Sequence, residues 1–287
     1  EVYMYKTVLP RMQQFWVDAK LFPDCYAFSP NNMLVLENLQ ESNFYIQPKN
    51  LPLNFIECKG VLKTLAQFHA LSVKYLQTNT VEEIDLKMNS CFQMMPRFQR
   101  WYRKIKTHVI PTLKESQQKK WALFETNGEV ALKNALMSHN LEGFIVICHG
   151  DFQNNNILYR GNESRLIDFQ LSHRGSPVLD LITFFILNVQ VEVFQKYRST
   201  IFKYYLEILN NSLQELDCKA RYTEDEMNED FERHKLYSIR VLSAYAPAYF
   251  ADKYDLARME SEEENEFDIL IKSEMYNSFF KNWIELL

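Results

Sequence analysis

Val2, Tyr5, Leu9, Met12 and Trp16 recur at spacings of three and four, which predicts an amphipathic helix over residues 1–16. Pro10 lies inside that pattern without a backbone N–H to donate, so it is expected to kink or end the helix. Two short strands follow at 25–28 and 33–37, joined by the turn-forming run Ser-Pro-Asn-Asn over 29–32. Pro52 is placed to open a helix at its first turn, and Phe55, Leu62, Leu65, Phe68, Leu71 and Tyr75 line that helix's apolar side. From Asn89 to about Leu141 the pattern is again helical, broken near Pro111. It changes between Gly143 and Asp168, where three short apolar runs (144–148, 157–159 and 166–167) surround a polar loop and read as short strands. Beyond Pro177 helices are expected at 178–189, 191–216, 224–246 and 265–287, the third opened by the capping box Thr223 and Glu226. No internal repeat is visible. A small strand-containing front and a large helical back predict an α+β chain in two lobes.

Composition narrows the functional classes. At 287 residues, 47% apolar and 24% charged, the chain is ordinary globular protein, long enough for two lobes or one large domain. A net charge of −5 provides no global basic field, so no nucleic-acid partner is expected. Residues 97–120 are a local exception, with eight Lys/Arg and one Glu: either a solvated helix face or an anion-receiving surface. Five cysteines without C-x-x-C spacing, and no H-E-x-x-H, argue against a disulfide framework or a zinc site. The longest apolar run, Val178 to Phe194, is interrupted by Asp180, Asn188, Gln190 and Glu192, so no membrane span is expected. No signal peptide is visible, and a reduced, cytoplasmic protein is the expectation. Only six glycines occur, and neither G-x-G-x-x-G nor G-x-x-x-x-G-K-[ST] is among the motifs, so phosphate must be held by other means.

The residues that carry chemistry are concentrated in Cys148-His-Gly-Asp-Phe-Gln-Asn-Asn-Asn-Ile-Leu-Tyr159 and Arg165-Leu-Ile-Asp-Phe-Gln170. Asp151 and Asn156 stand five apart on a polar loop between apolar runs, and Asp168 comes directly after another such run. Phosphoryl transfer asks for this set: a carboxylate to orient a hydroxyl, then an amide and a carboxylate to hold Mg²⁺ against ATP phosphates. The spacing matches H-R-D-x-x-x-x-N followed by D-F-G, with Gly150 for the arginine and Gln170 for the last glycine. Turn chemistry alone also places Asp and Asn beside strands. The joint occurrence of His-Gly, two flanking strands and the later Ile-Asp-Phe sets this loop apart from a turn.

His149 to Leu158 resembles the H-G-D-x-x-x-x-N-I-L motif of the aminoglycoside phosphotransferase and choline kinase superfamily. The runs H-G-D-F-Q-N-N-N-I-L, L-I-D-F-Q-L-S, G-S-P-V-L-D-L, L-V-L-E-N-L and L-A-Q-F-H-A-L-S resemble, more closely, the ecdysteroid-kinase-like (CHK-kinase-like) family. The resemblance implies a protein-kinase-like fold, ATP and Mg²⁺ as cofactors, and a small hydroxylated molecule as acceptor, with an ecdysteroid or other steroid-like alcohol the candidate. Carried over, Asp151 and His149 form the catalytic loop, Asp151 as the base that orients the hydroxyl and His149 chiefly fixing the loop. Asn156 and Asp168 hold magnesium, Asp180 braces the loop from the next helix, and the Glu37 carbonyl and Leu39 N–H meet adenine. His69 reads as a core histidine and Cys148 as a small buried strand residue. Trp101, Tyr102, Tyr245, Tyr249 and Phe250 are either a pocket for a flat apolar acceptor or core. In the family a lysine-bearing strand and a glycine-containing strand pair precede the first helix, and Glu1 stands where a glutamate pairs with that lysine. The N-terminal lobe is therefore expected to be incomplete, with residues 1–38 its remnant and 39–287 a large helical C-terminal lobe. A kinase-like binding protein that cannot hold ATP is the competing reading.

Overall fold

The computed structural model describes residues 1–16, 20–28, 33–48, 51–79, 95–136, 143–250 and 266–286. The expected turn at 29–32 and the ends of the 89–141 helical stretch, 89–94 and 137–141, lie outside them. The chain opens with a π-helical turn, Met4–Val8, that runs directly into helix α1 (Leu9–Phe15). Pro10 neither ends nor breaks this helix. The wider turn lets the Leu9 N–H reach the Met4 carbonyl, and Pro10 then falls in the first turn of α1, where its missing N–H is not needed.

Strands β1 (Cys25–Phe28) and β2 (Leu34–Leu36) form an antiparallel pair whose register runs from Cys25 opposite Leu36 to Phe28 opposite Leu34. A 3₁₀ turn at Leu39–Ser42 follows, capped by the Asn38 side chain accepting from the Gln40 N–H. It leads into a two-residue strand, β3 (Tyr45–Ile46), which the sequence pattern does not announce. Helix α2 (Phe55–Thr78) begins with a capping box between Asn54 and Glu57 and buries the predicted Leu62, Leu65, Phe68, Leu71 and Tyr75. Helices α3 (Met95–His108) and α4 (Glu115–Leu136) are separated by a 3₁₀ turn holding Pro111, as the pattern requires.

The strands of the middle segment are β4 (Val146–Cys148), β5 (Ile157–Arg160), β6 (Glu163–Leu166) and β7 (His173–Gly175). They make two small sheets, β3-β5-β6 and β4-β7, all antiparallel. Every residue of helix α5 (Val178–Asn188) is buried, which explains its almost uninterrupted apolar sequence. Helix α6 (Val191–Glu215) packs along α2. The single helix expected at 224–246 is instead α7 (Glu224–His234) and α8 (Tyr237–Arg240), then a π-helical turn at Val241–Tyr245 and α9 (Ala246–Tyr249). The Thr223–Glu226 capping box opens α7 as predicted. The last expected helix is divided at Ser273 into α10 (Glu266–Lys272) and α11 (Glu274–Leu286).

Two open questions of the sequence are decided by packing. Trp101 stacks on Phe267 at 4.9 Å and Tyr102 on Trp121 at 4.8 Å, while Tyr249 and Phe250 meet edge to face at 5.5 Å. These rings and Tyr245 pack within the aromatic core, so the core reading holds for them. In the basic stretch Lys104 pairs with Asp268 (2.7 Å), Lys106 with Glu125 (2.6 Å) and Lys119 with Glu115 (2.8 Å). Lys120 donates to the Glu285 carbonyl. Three of the eight basic side chains are thus ion-paired and a fourth bonds backbone, an arrangement ordinary for a solvated helix face. Among the described residues no helix is long and apolar enough to cross a membrane, and Cys25, Cys58, Cys148 and Cys218 are free thiols.

Candidate active site

The loop that leaves β4 turns on Gly150, whose φ of +85° is the left-handed conformation that L side chains rarely adopt. A Cβ there would also collide with the Leu171 carbonyl oxygen, so glycine is required where the H-R-D spacing has arginine. Behind the turn stands Asp180, in the first turn of α5. It accepts the His149 N–H at 2.6 Å on Oδ2, the Gly150 N–H at 2.9 Å on Oδ1, and His69 Nε2 at 3.1 Å. Asp180 is only 1% exposed. Burial works to raise its pKa, but the hydrogen bond and charge of His69, with help from His149 and Gly150, outweigh it and hold the carboxyl below its ordinary range. His69 thus bridges this carboxylate, through Nε2, and the Tyr205 hydroxyl, which lies 2.6 Å from Nδ1. His69 is the core histidine expected, and it also buttresses the loop through Asp180.

His149 is fully buried. Its Nε2 meets the Ile167 carbonyl at 2.9 Å and its Nδ1 accepts the Asp151 N–H at 3.4 Å, so both nitrogens are occupied by backbone. Asp151 keeps 8% of its surface exposed. Its Oδ2 accepts from Asn156 Nδ2 at 2.8 Å and its Oδ1 from Gln153 Nε2 at 2.7 Å. Burial raises the Asp151 pKa; the hydrogen bonds from Gln153 and Asn156 and the charge of His149 oppose this, and the charge of Asp168 adds to it.

Asn156 also gives Nδ2 to the Asp151 carbonyl at 2.9 Å, which turns its amide oxygen toward other partners. Hairpin register explains its relation to Asp168: Ile157 pairs with Leu166, and the Ile167 N–H donates to the Asn156 carbonyl at 3.0 Å. Residues eleven and twelve positions apart in sequence are thereby neighbours. Asp168 adopts a left-handed φ of 63°, an uncommon conformation for a residue that is not glycine. The ring of Phe169 explains how it is kept there. That ring is wedged against His149 (4.9 Å), Phe68 (5.5 Å), Tyr5 (5.7 Å) and Phe22 (6.1 Å), which fixes the direction of the residue before it. Gln170 Nε2 donates to Asp168 Oδ2 at 3.2 Å.

Asp168 opens onto a cleft of about 600 Å³ whose lining includes Leu158 and Ile167, the Glu37 and Leu39 segment, and Glu1. The β1–β2 register stops at Leu36, so the Glu37 carbonyl and Leu39 N–H are outside the strand ladder. Glu37 is held there by reciprocal bonds: its N–H donates to the Asp24 carbonyl (2.8 Å), and its Oε2 accepts from the Asp24 N–H (3.1 Å) and Lys20 (2.8 Å). The Glu1 carboxyl is raised by burial and then by the charge of Asp168. Asp168 in this cleft, and Asn156 bonded to the residue before it, offer hard oxygens of the kind Mg²⁺ takes. Among the described residues no group of three or more His, Cys, Asp or Glu could hold a metal ion by itself. The structure thus gathers Asp151, Asn156 and Asp180 around one loop and Asp168, Glu37 and Leu39 around one cleft. Sequence reasoning missed Gln153, Tyr205 and Asn188. The available signal for Asn188 was a polar residue in an otherwise apolar helix.

Residues 1–218 match the ecdysteroid kinase-like family, and the chain belongs to that family. Its α+β architecture, rich in helix with few strands, is the protein-kinase-like one the family implies. Among solved structures the chain is similar to choline kinase from Cryptosporidium parvum, at 13% identity and a TM-score of 0.49, over 97% of this chain and 76% of that one. It is also similar to Plasmodium vivax ethanolamine kinase, at 11% identity and a TM-score of 0.47, over 98% of this chain and 71% of that one. A stretch of 128 residues, 44% of this chain, is 29% identical to acyl-CoA dehydrogenase family member 11 from Pongo abelii, of which it spans 14% of the length.

Proposed function

We propose that this member of the ecdysteroid kinase-like family transfers the γ-phosphoryl group of ATP to a hydroxyl of a small organic acceptor, with steroid-like alcohols such as ecdysteroids as the acceptor class. The observation that carries the reading is the buried Asp151 carboxylate, fixed by Asn156 and Gln153 on a loop whose next strand pair delivers Asn156 beside Asp168. Asp151 orients the acceptor hydroxyl and receives its proton as the oxygen–phosphorus bond forms and ADP departs. His149, with both nitrogens on backbone, holds the loop and takes no part in the proton transfer. The Asn156 amide oxygen and the Asp168 carboxylate are the magnesium ligands of this chain. When bound, the ion supplies charge stabilisation to the phosphates. Glu37 and Leu39 present backbone to the adenine, and Leu158 with Ile167 gives it an apolar floor. In this reading residues 1–38 contribute one wall of the nucleotide cleft and residues 39–287 contribute the loops.

One observation favours a second reading, a kinase-like protein that binds its small molecule without turnover. Among the described residues lining the cleft there are three carboxylates and no lysine or arginine to meet a triphosphate. The two readings separate by mass spectrometry of a panel of hydroxylated small molecules incubated with the protein, Mg²⁺ and ATP. Phosphorylated product that disappears with Asp151→Asn supports transfer. Acceptor binding without product supports the second reading.

A further inference from the structure

Asp180 holds the entrance of the catalytic loop, but nothing so far accounts for the position of its middle, residues 152–155. These residues set the spacing between Asp151 and Asn156, the two groups whose relative placement matters to the reaction. Asn188, the last residue of α5 and fully buried, reaches this segment. Its Oδ1 accepts the Asn154 N–H at 2.7 Å and its Nδ2 donates to the Phe152 carbonyl at 3.2 Å, partners more than thirty residues away in sequence. The same amide nitrogen lies 3.1 Å from the Phe184 carbonyl, an ordinary closing contact at a helix end. The backbone on its other side is also tied, since the Leu53 N–H donates to the Asn188 carbonyl at 2.6 Å. From the strand side, the buried Tyr159 hydroxyl donates to Asn154 Oδ1 at 2.6 Å.

An asparagine that only capped its own helix would face its own last turn. Asn188 instead satisfies one donor and one acceptor of another segment, and does so with the paired N–H and C=O geometry of a short strand bond. Asp180 and Asn188 are eight residues apart on one helix, a rise of roughly 12 Å at 1.5 Å per residue. Helix α5, buried throughout, is therefore a rigid ruler with a side chain at each end gripping the loop on either side of Asp151.

We propose that Asn188 is a positioning residue for phosphoryl transfer: with Asp180 it forms a two-point clamp that fixes the distance between Asp151 and Asn156. This rests on the reading of the loop given above. A shift of about 1 Å in a group of this kind costs on the order of 10²-fold in rate, so loss of the clamp is expected in kcat and not in nucleotide affinity.

The test compares Asn188→Leu, which keeps the side chain's branched shape and removes both bonds to the loop, with Thr183→Val, buried on the same helix but bonded only to the Leu179 carbonyl within it. Turnover with Mg·ATP, melting temperature and amide exchange over residues 151–156 are measured for both. The clamp predicts that Asn188→Leu lowers kcat by about 10- to 100-fold, leaves the KM for ATP within about threefold, and speeds exchange in the loop. Thr183→Val is expected to change the melting temperature alone. If Asn188→Leu does not fold, Tyr159→Phe, which deletes one hydroxyl that supports Asn154, is expected to lower kcat in the same selective way. Wild-type kcat in a folded Asn188→Leu or in Tyr159→Phe, a loss no larger than that of Thr183→Val, or unchanged loop exchange would overturn the proposal. A wild-type protein without turnover would instead overturn the phosphoryl-transfer reading, and the exchange comparison would still decide whether the clamp exists.

Discussion

Replacing Asp180 with asparagine changes one atom of the site and no volume, which makes it a clean probe of what holds the loop. Three donors converge on the carboxylate: the His149 and Gly150 N–H groups and His69 Nε2. An amide keeps one acceptor oxygen and places an NH₂ where the other stood, so a buried backbone donor is left facing a donor. Hydrogen bonds to a charged group contribute about 1.5–3 kcal/mol each, and an orphaned buried polar group costs about 1–3 kcal/mol. Against this, the substitution removes a buried charge whose own desolvation is costly. The balance of these effects is an expected loss of about 3 kcal/mol. That is between a fifth and three fifths of a typical total of about 5–15 kcal/mol. Urea unfolding at pH 7 measures it, and a loss below about 1 kcal/mol would refute the reasoning. The pH dependence gives a second check. The Asp180 carboxyl is held below its ordinary 3.8, so its contribution is complete above that value and is lost only as pH falls through the folded-state pKa. The gap between wild type and Asp180→Asn should therefore stay constant from pH 7 to about 4 and narrow below. A gap that closes already between pH 7 and 5 would mean that a histidine, not Asp180, carries the effect.

Asp151→Asn should remove phosphoryl transfer by about 10²–10⁴-fold while leaving the melting temperature close to wild type; retention of more than a tenth of turnover would rule out its assigned role. Asp168→Ala should weaken Mg·ATP binding far more than acceptor binding, and calorimetry showing unchanged Mg·ATP affinity would count against it as a magnesium ligand. Gly150→Ala should be strongly destabilising despite its small size, because the added Cβ meets backbone that cannot swing aside; a melting temperature equal to wild type would contradict the described turn. His173 is buried and held below its ordinary 6.5, by burial first and also by the charge of Arg240, with the Leu171 hydrogen bond and Asp180 opposing. The unfolded chain therefore binds a proton there that the folded chain refuses, and stability should fall as pH drops below 6.5. The matching variant, His173→Phe, should flatten that slope, and an unchanged slope would exclude it.

The candidate site of this chain was legible because its spacing is local. Asp151, Asn156 and Asp168 lie on one loop and one hairpin, and the hairpin's register turns sequence offsets directly into neighbours. Asp180 was placed by the family resemblance, and its carboxylate accepts the His149 and Gly150 N–H groups of that loop. What is set by distant pairing left little trace. Strand β3 is two residues long and exists because Tyr45 and Ile46 find Tyr159 and Leu158 more than a hundred residues later. Strand β7, His-Arg-Gly, has no apolar alternation and is a strand because β4 needs a partner.

Helix interruptions were hidden for a different reason. The π-helical turns Met4–Val8 and Val241–Tyr245 each pass directly into an α-helix with helical dihedrals at both caps, so no turn residue or break in the chain marks them. Pro10 was the visible half of the first, and the compensating turn was not. The polar interruptions of α5 carry the opposite lesson. Asp180 and Asn188 served in the sequence only to exclude a membrane span and to suggest a brace, yet a helix buried on every side cannot hold an unsatisfied carboxylate or amide. Each such residue must therefore find its partners in whatever packs against that helix, and for these two that includes the loop that carries Asp151. A polar residue within a wholly buried helix is thus a pointer to the segment it holds, readable once the helix is known to be buried and not before.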